Sequence, residues 1–154
     1  MLKDLLSNVW RGSPAAFRHL LLRFTNSRFT VTAGAIIFNS RGQVLLLKHP
    51  FRAGSGWGLP GGFMKNGEQP VDALRRELDE EIKLEIHNVE LFLARSFERP
   101  RQVEILFTAE TDALPQPQSI EVDCAVWFDP HELPTGLPKD QKSLVLRAVE
   151  KRQV

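Results

Sequence analysis

Glu77, Glu80 and Glu81 stand at i, i+3 and i+4 within the stretch PVDALRRELDEEIKL, a spacing that places all three on neighbouring helix surface. Like charges this close cost a bare helix roughly 0.2–0.5 kcal/mol per pair. A hard divalent cation turns the same cluster into a ligand set, because Mg²⁺ takes carboxylate oxygens and keeps room for phosphate oxygens and water. Such a site polarises a phosphoryl oxygen and activates water. The helix that must carry the acids is written beside them. Val71, Leu74, Leu78 and Ile82 recur at helical spacing and form one apolar stripe. The pattern predicts a helix from about Gln69 to Lys83, with Pro70 in its first turn.

Ahead of that helix runs Trp57-Gly58-Leu59-Pro60-Gly61-Gly62, then Glu68, and further on Arg76-Glu77-Leu78-Asp79-Glu80-Glu81-Ile82-Lys83-Leu84. Taken together from Gly62 to Leu84, these residues resemble the Nudix box and its usual lead-in. Every specified position matches except one, where Lys83 replaces the family's glycine. The resemblance implies a Nudix-type α/β/α sandwich with a mixed β-sheet. It also implies hydrolysis of a nucleoside diphosphate linked to another moiety, with Mg²⁺ as cofactor and Mn²⁺ as substitute. Carried over residue by residue, Glu77, Glu80 and Glu81 become metal ligands and catalytic carboxylates, with Gly61 beside them at the metal. Gly62 goes to the substrate phosphates. Glu68 and Arg76 tie the box loop to its helix. A supplementary catalytic carboxylate is often supplied ahead of a tryptophan-bearing strand. Glu121 stands six residues before Trp127, and Glu98 and Glu104 are its rivals. The family glycine ends the box helix in a left-handed conformation, so Lys83 implies either a different helix end or strain absorbed by packing.

Substrate class is carried by fewer residues. Pro100 falls 16 residues beyond Leu84, a marker of ADP-ribose-hydrolysing relatives, and Arg99 and Arg101 beside it are candidates for a phosphate. Phe51, Trp57 and Phe97 are candidates to stack on a base. The chain has no tyrosine, so the tyrosine marker of dinucleoside-polyphosphate relatives is missing. ADP-ribose or another nucleotide sugar is therefore expected ahead of a nucleoside triphosphate or an RNA 5′ end. A non-catalytic nucleotide sensor is the reading from a different class.

The remaining elements must form a sheet to hold this helix. FTVTAGAIIF (29–38) and QVLLLK (43–48) read as strands joined by the turn residues Asn39-Ser40-Arg41-Gly42. Residues 56–63 read as a short extended piece, and 86–97, 103–111 and 122–128 as further strands. The Pro-rich 114–118 is loop, 129–134 a short turn of helix, and 139–152 an amphipathic helix with Leu144, Val145, Ala148 and Val149 on one face.

With 154 residues the chain is one domain's worth. A balance of 20 basic against 19 acidic residues offers no charge argument for DNA; a small-molecule nucleotide is the partner the Nudix resemblance implies. The single cysteine, Cys124, excludes an intrachain disulfide, fits a reducing compartment and reads as a buried strand thiol. No apolar run approaches the ~20 residues of a membrane span, and the expectation is a cytoplasmic protein. Residues 1–28 hold Lys3, Arg11, Arg18, Arg23 and Arg28 against one acid, Asp4. They read as a helical extension, over 2–10 and 14–24, preceding a Nudix domain at 29–154. Packing on the domain or in a homodimer is the plainer role, with organelle targeting and membrane-surface contact left open.

Overall fold

The structure, a computed structural model, describes Lys3, residues 10–17 and residues 28–152. Lys3, residues 10–12 and residues 15–17 are helical and Pro14, expected to open the second helix, is not; the other residues of the two expected N-terminal helices lie outside the described residues. Seven strands follow: β1 (Thr30–Phe38), β2 (Val44–Lys48), β3 (Trp57–Gly58), β4 (Gly61–Phe63), β5 (His87–Phe97), β6 (Gln102–Glu110) and β7 (Cys124–Phe128). The helices are α1 (Pro70–Ile82) and α2 (Lys139–Arg152). Among the described residues no helix is long and apolar enough to cross a membrane.

The sheet is mixed and split. β1 runs parallel to β6 over its whole length, and β5 is antiparallel to β6. On the other side β1 meets β2 only at Phe38 and Val44 before the two diverge. The opening is filled by the short strands, β3 pairing with β2 and β4 with β1. β7 completes the far edge by pairing with all five residues of β2. The Gly-Gly turn is thereby held inside the sheet.

β1 and β2 are apolar on both faces because both faces are covered. Ala33, Ala35, Ile37, Leu45 and Leu47 pack against Ala73, Leu74, Leu78 and Ile82 of α1. The alternate residues Ile36, Phe38, Val44 and Leu46 pack against Leu144, Val145 and Ala148 of α2. The result is the expected α/β/α sandwich. The expected helical turn at 129–134 is instead a hydrogen-bonded turn. The Asp129 side chain accepts the His131 N–H at 2.8 Å and its carbonyl accepts the Glu132 N–H at 2.9 Å, a local pairing that competes with helix. Cys124 lies on a strand as expected but is half-buried rather than buried, since it begins the edge strand β7.

Candidate active site

The box helix starts with Gln69 as N-cap and Pro70 in its first turn. It ends where Lys83 takes the left-handed conformation, φ 52° and ψ 44°. Lys83 thus keeps the backbone shape usually left to glycine, at a cost of ~1–2 kcal/mol. The end is secured from elsewhere in the chain. The 116–119 loop donates to the carbonyls that a helix terminus leaves open. Gln116 N–H reaches Ile82 O at 2.6 Å, Gln118 N–H reaches Glu81 O at 3.0 Å, and the Gln118 side-chain amide reaches Asp79 O at 2.8 Å. This loop leads directly to Glu121.

Glycines allow the close approaches above the helix. A Cβ on Gly61, whose φ is +143°, would stand 2.3 Å from Ala33 O, and one on Gly62 would stand 2.3 Å from the Glu77 carboxyl carbon. Gly62 is the floor on which Glu77 lies. Arg76 then ties the loop to the helix. Its guanidinium grips Glu68 through Nε to Oε1 at 2.7 Å and Nη2 to Oε2 at 2.9 Å, and donates to Phe63 O at 2.9 Å. Nη1 also reaches Glu77 at 2.7 Å and Glu80 at 3.2 Å. The Arg76 bond holds the Glu68 carboxyl down at about 2, as expected for a bidentate charge-assisted pair.

Glu77, Glu80, Glu81 and Glu121 line one open cleft of about 460 Å³, together with Gly61, Gly62, Arg76, Lys65, His49 and Arg52. Glu81 is the unusual member. It is 7 % exposed, and its Oε2 has no hydrogen-bond partner among the described residues. Burial, reinforced by Glu77 and Glu121 and partly offset by Arg52, pushes its carboxyl up to about 7. A buried charge with an unused oxygen is costly unless something pairs with it. Among the described residues no three His, Cys, Asp or Glu side chains converge as a ready ligand set, and Arg76 and Lys65 pair with oxygens of Glu77 and Glu80. The donor chemistry nevertheless fits a hard divalent cation: several carboxylates, one with an orphan oxygen, face one space beside the Gly-Gly turn.

Other expected residues stand elsewhere. Phe51 is 79 % exposed, and Arg99 and Arg101 sit in the exposed turn between β5 and β6; none of the three lines the glutamate cleft. Trp57 packs edge-on against Phe128 at 5.1 Å, and Phe97 lies under Arg95. Glu104 is bonded to Arg95, and Glu98 lies in the β5–β6 turn. Three of the polar cleft residues were not foreseen, His49, Arg52 and Lys65. The His49 Nδ1 bonds the Glu121 carbonyl at 2.8 Å while Nε2 is buried without a partner among the described residues. Burial, with help from Arg52, lowers the His49 pKa. Arg52 also lines an adjoining cavity of about 290 Å³ on the sheet face toward α2, with Thr32, Gly34, Leu59, Gln102 and Gln141. The sequence signal for His49 and Arg52 was a polar pair in the Gly-containing loop just before the Gly-Gly turn.

A split mixed sheet between two helices, with a glutamate helix beneath a glycine turn, defines a Nudix-type sandwich. The chain belongs to the Nudix family: the NUDIX domain model matches residues 28–148. It is 33% identical to the 8-oxo-dGTP diphosphatase of Haemophilus influenzae over 107 residues, 68% of this chain and 79% of that protein. It is 31% identical to the NAD-capped RNA hydrolase NudC of Pseudomonas putida over 108 residues. That match spans 68% of this chain but 38% of NudC, and the chain spans 24% to 40% of several other curated relatives. The structure of a Nudix hydrolase from Nitrosomonas europaea superposes with a TM-score of 0.70 at 30% identity, covering 83% of this chain and 74% of that one.

Proposed function

We propose that this protein is a divalent-cation-dependent Nudix pyrophosphohydrolase that cleaves the diphosphate linkage of a nucleoside diphosphate derivative. The observation that carries the reading is the buried, unpaired Oε2 of Glu81 in a cleft shared with Glu77, Glu80 and Glu121. A sensor needs no repelling acid cluster at the floor of its pocket.

In this reading Glu77, Glu80 and Glu81 hold Mg²⁺, or Mn²⁺, beside Gly61. The cation supplies charge stabilisation at the scissile phosphate and makes water a better nucleophile. The chain's own residues do the rest. Gly62 lets the phosphates approach the backbone. Glu121, on the opposite wall, orients the attacking water and takes its proton. Arg52, between the glutamate cleft and the adjoining cavity, is the cation placed to meet substrate phosphate. Glu68 and Arg76 are structural, fixing the loop. Residues 29–154 form the hydrolase domain, with 1–28 as an extension.

ADP-ribose or another nucleotide sugar stays the first candidate on the spacing of Pro100 from Leu84 alone, since Arg99 and Arg101 do not line the glutamate cleft. The likeness to an 8-oxo-dGTP diphosphatase over most of that protein's length favours a second reading, a nucleoside triphosphate. The test is a hydrolysis screen with Mg²⁺ and with Mn²⁺. It covers ADP-ribose, nucleotide sugars, a nicotinamide dinucleotide, 8-oxo-dGTP and ordinary triphosphates, with Glu80→Gln as control. Cleavage lost in the control supports an enzyme and ranks the substrates; silence across the panel with both cations would sink the catalytic reading.

A further inference from the structure

His49 is anchored through its backbone. It follows the last residue of β2, whose Lys48 is paired with Cys124 of β7 and accepts the Asp123 N–H at 2.8 Å. Its own N–H donates to Gly56 O at 2.9 Å, closing the neck of the 49–56 loop. That neck admits only glycine at 56: φ is +80°, and a Cβ there would stand 2.5 Å from the His49 carbonyl oxygen. The imidazole therefore projects from a backbone fixed on both sides. Glu121 is different. It sits in an exposed turn with Val122 N–H bonded to Ser119 O at 3.2 Å and its own N–H to Ser119 Oγ at 3.1 Å. Its backbone carbonyl is taken by His49 at 2.8 Å. A carbonyl only accepts, so Nδ1 carries the hydrogen and the ring acts as a donor.

We propose that His49 is a positioning residue, its Nδ1–H pinning the Glu121 carbonyl so that the Glu121 carboxylate faces the glutamates of α1. The inference deepens the hydrolase reading and rests on it for the role of Glu121. The two ends of the 119–121 turn are then fixed by different elements. Ser119 N–H leans on Glu81 O at 3.4 Å at the end of α1, and the Glu121 carbonyl is held by His49. The carboxylate is thereby placed relative to both walls of the cleft. The buried Nε2, on a residue that lines the same cleft, offers the rival role, a contact to water or substrate.

Two amides separate these roles, because the Asn side-chain nitrogen mimics Nδ1 and the Gln nitrogen mimics Nε2. His49→Asn, His49→Gln and His49→Ala, each with and without Glu121→Gln, are compared by hydrogen exchange of residues 119–123 and by kcat and KM. Positioning predicts faster exchange and a kcat loss of about 10–100-fold in His49→Ala and His49→Gln, with KM little changed and with both near wild type in His49→Asn. It also predicts that Glu121→Gln costs less in the His49→Ala background than in the wild type. Rescue by Gln and not by Asn, or exchange at 119–123 indifferent to all three variants, would overturn the proposal. Should the wild type hydrolyse nothing, the exchange measurement still decides the role of His49, so the two readings fail separately.

Discussion

Replacing Glu81 by Gln should make the metal-free protein more stable at pH 8 while removing its activity. The Glu81 carboxyl is raised from its ordinary 4.5 to about 7, chiefly by burial. Below pH 4.5 the carboxyl is protonated in both folded and unfolded chains, so the group favours neither state. Between 4.5 and 7 the unfolded chain releases its proton first, and stability falls as pH rises; the penalty is complete above about 7. The shift corresponds to ~3 kcal/mol at most. Part of the gain is offset because a Gln amide at the same buried place needs its own partners, at ~1–3 kcal/mol if unmet. The neighbouring carboxylates Glu77 and Glu121 can accept from it, so a net gain of roughly 1–2 kcal/mol is expected, or about 2–8 °C for a chain of this size. Thermal melts in EDTA at pH 5 and pH 8 check this. The wild type should lose stability between the two and Glu81→Gln should lose less. Saturating Mg²⁺ at pH 8 should then raise the wild-type Tm, by ~2.7 kcal/mol at a hundred times Kd, and leave the variant nearly unmoved. Equal pH 5-to-8 changes in both proteins would refute the buried-charge reasoning.

Three other substitutions probe the scaffold of the same site. Lys83→Gly relieves a left-handed residue at the loss of an exposed ion pair with Asp79; it should gain roughly 0.5–1 kcal/mol in chemical denaturation with activity unchanged. Arg76→Lys keeps the charge but cannot reproduce the fork onto Glu68 and the bond to Glu77. It should cost ~1–3 kcal/mol and lower kcat, read by urea melts and turnover. Gly62→Ala puts a Cβ into the Glu77 carboxylate; since that carboxylate is a flexible end, stability should barely change in a melt while turnover drops about 10–100-fold.

Local signals in the chain were read where local chemistry decides the outcome. α2 follows the predicted 139–152 span, and the box helix lies within one residue of its predicted ends, because an apolar stripe and a first-turn proline are written in consecutive residues. Glu121 was a candidate only through the Nudix resemblance, by its spacing to Trp127, and it does line the cleft. His49, Arg52 and the 116–119 loop were invisible for the opposite reason. Their places depend on β2 pairing with β7 and on a loop returning to cap α1, contacts between residues from 34 positions apart (Gln116 and Ile82) to 84 positions apart (Val44 and Phe128). Phe51, Arg99 and Arg101 show the converse limit: standing next to a cleft residue or a marker proline in sequence does not aim a side chain. The burial of Glu81 among acids expected at the surface likewise arises only once the 116–121 segment closes over the helix end.

The most direct test of the hydrolase reading is phosphorus NMR of the wild-type protein with the best diphosphate-linked compound of the screen, followed through addition of Mg²⁺ and then of EDTA. The account predicts loss of the anhydride resonances and growth of two phosphomonoester signals with Mg²⁺, arrest by the chelator, and no change with Glu81→Gln. Anhydride signals that shift on binding but persist with Mg²⁺, or cleavage that continues in Glu81→Gln, would contradict it.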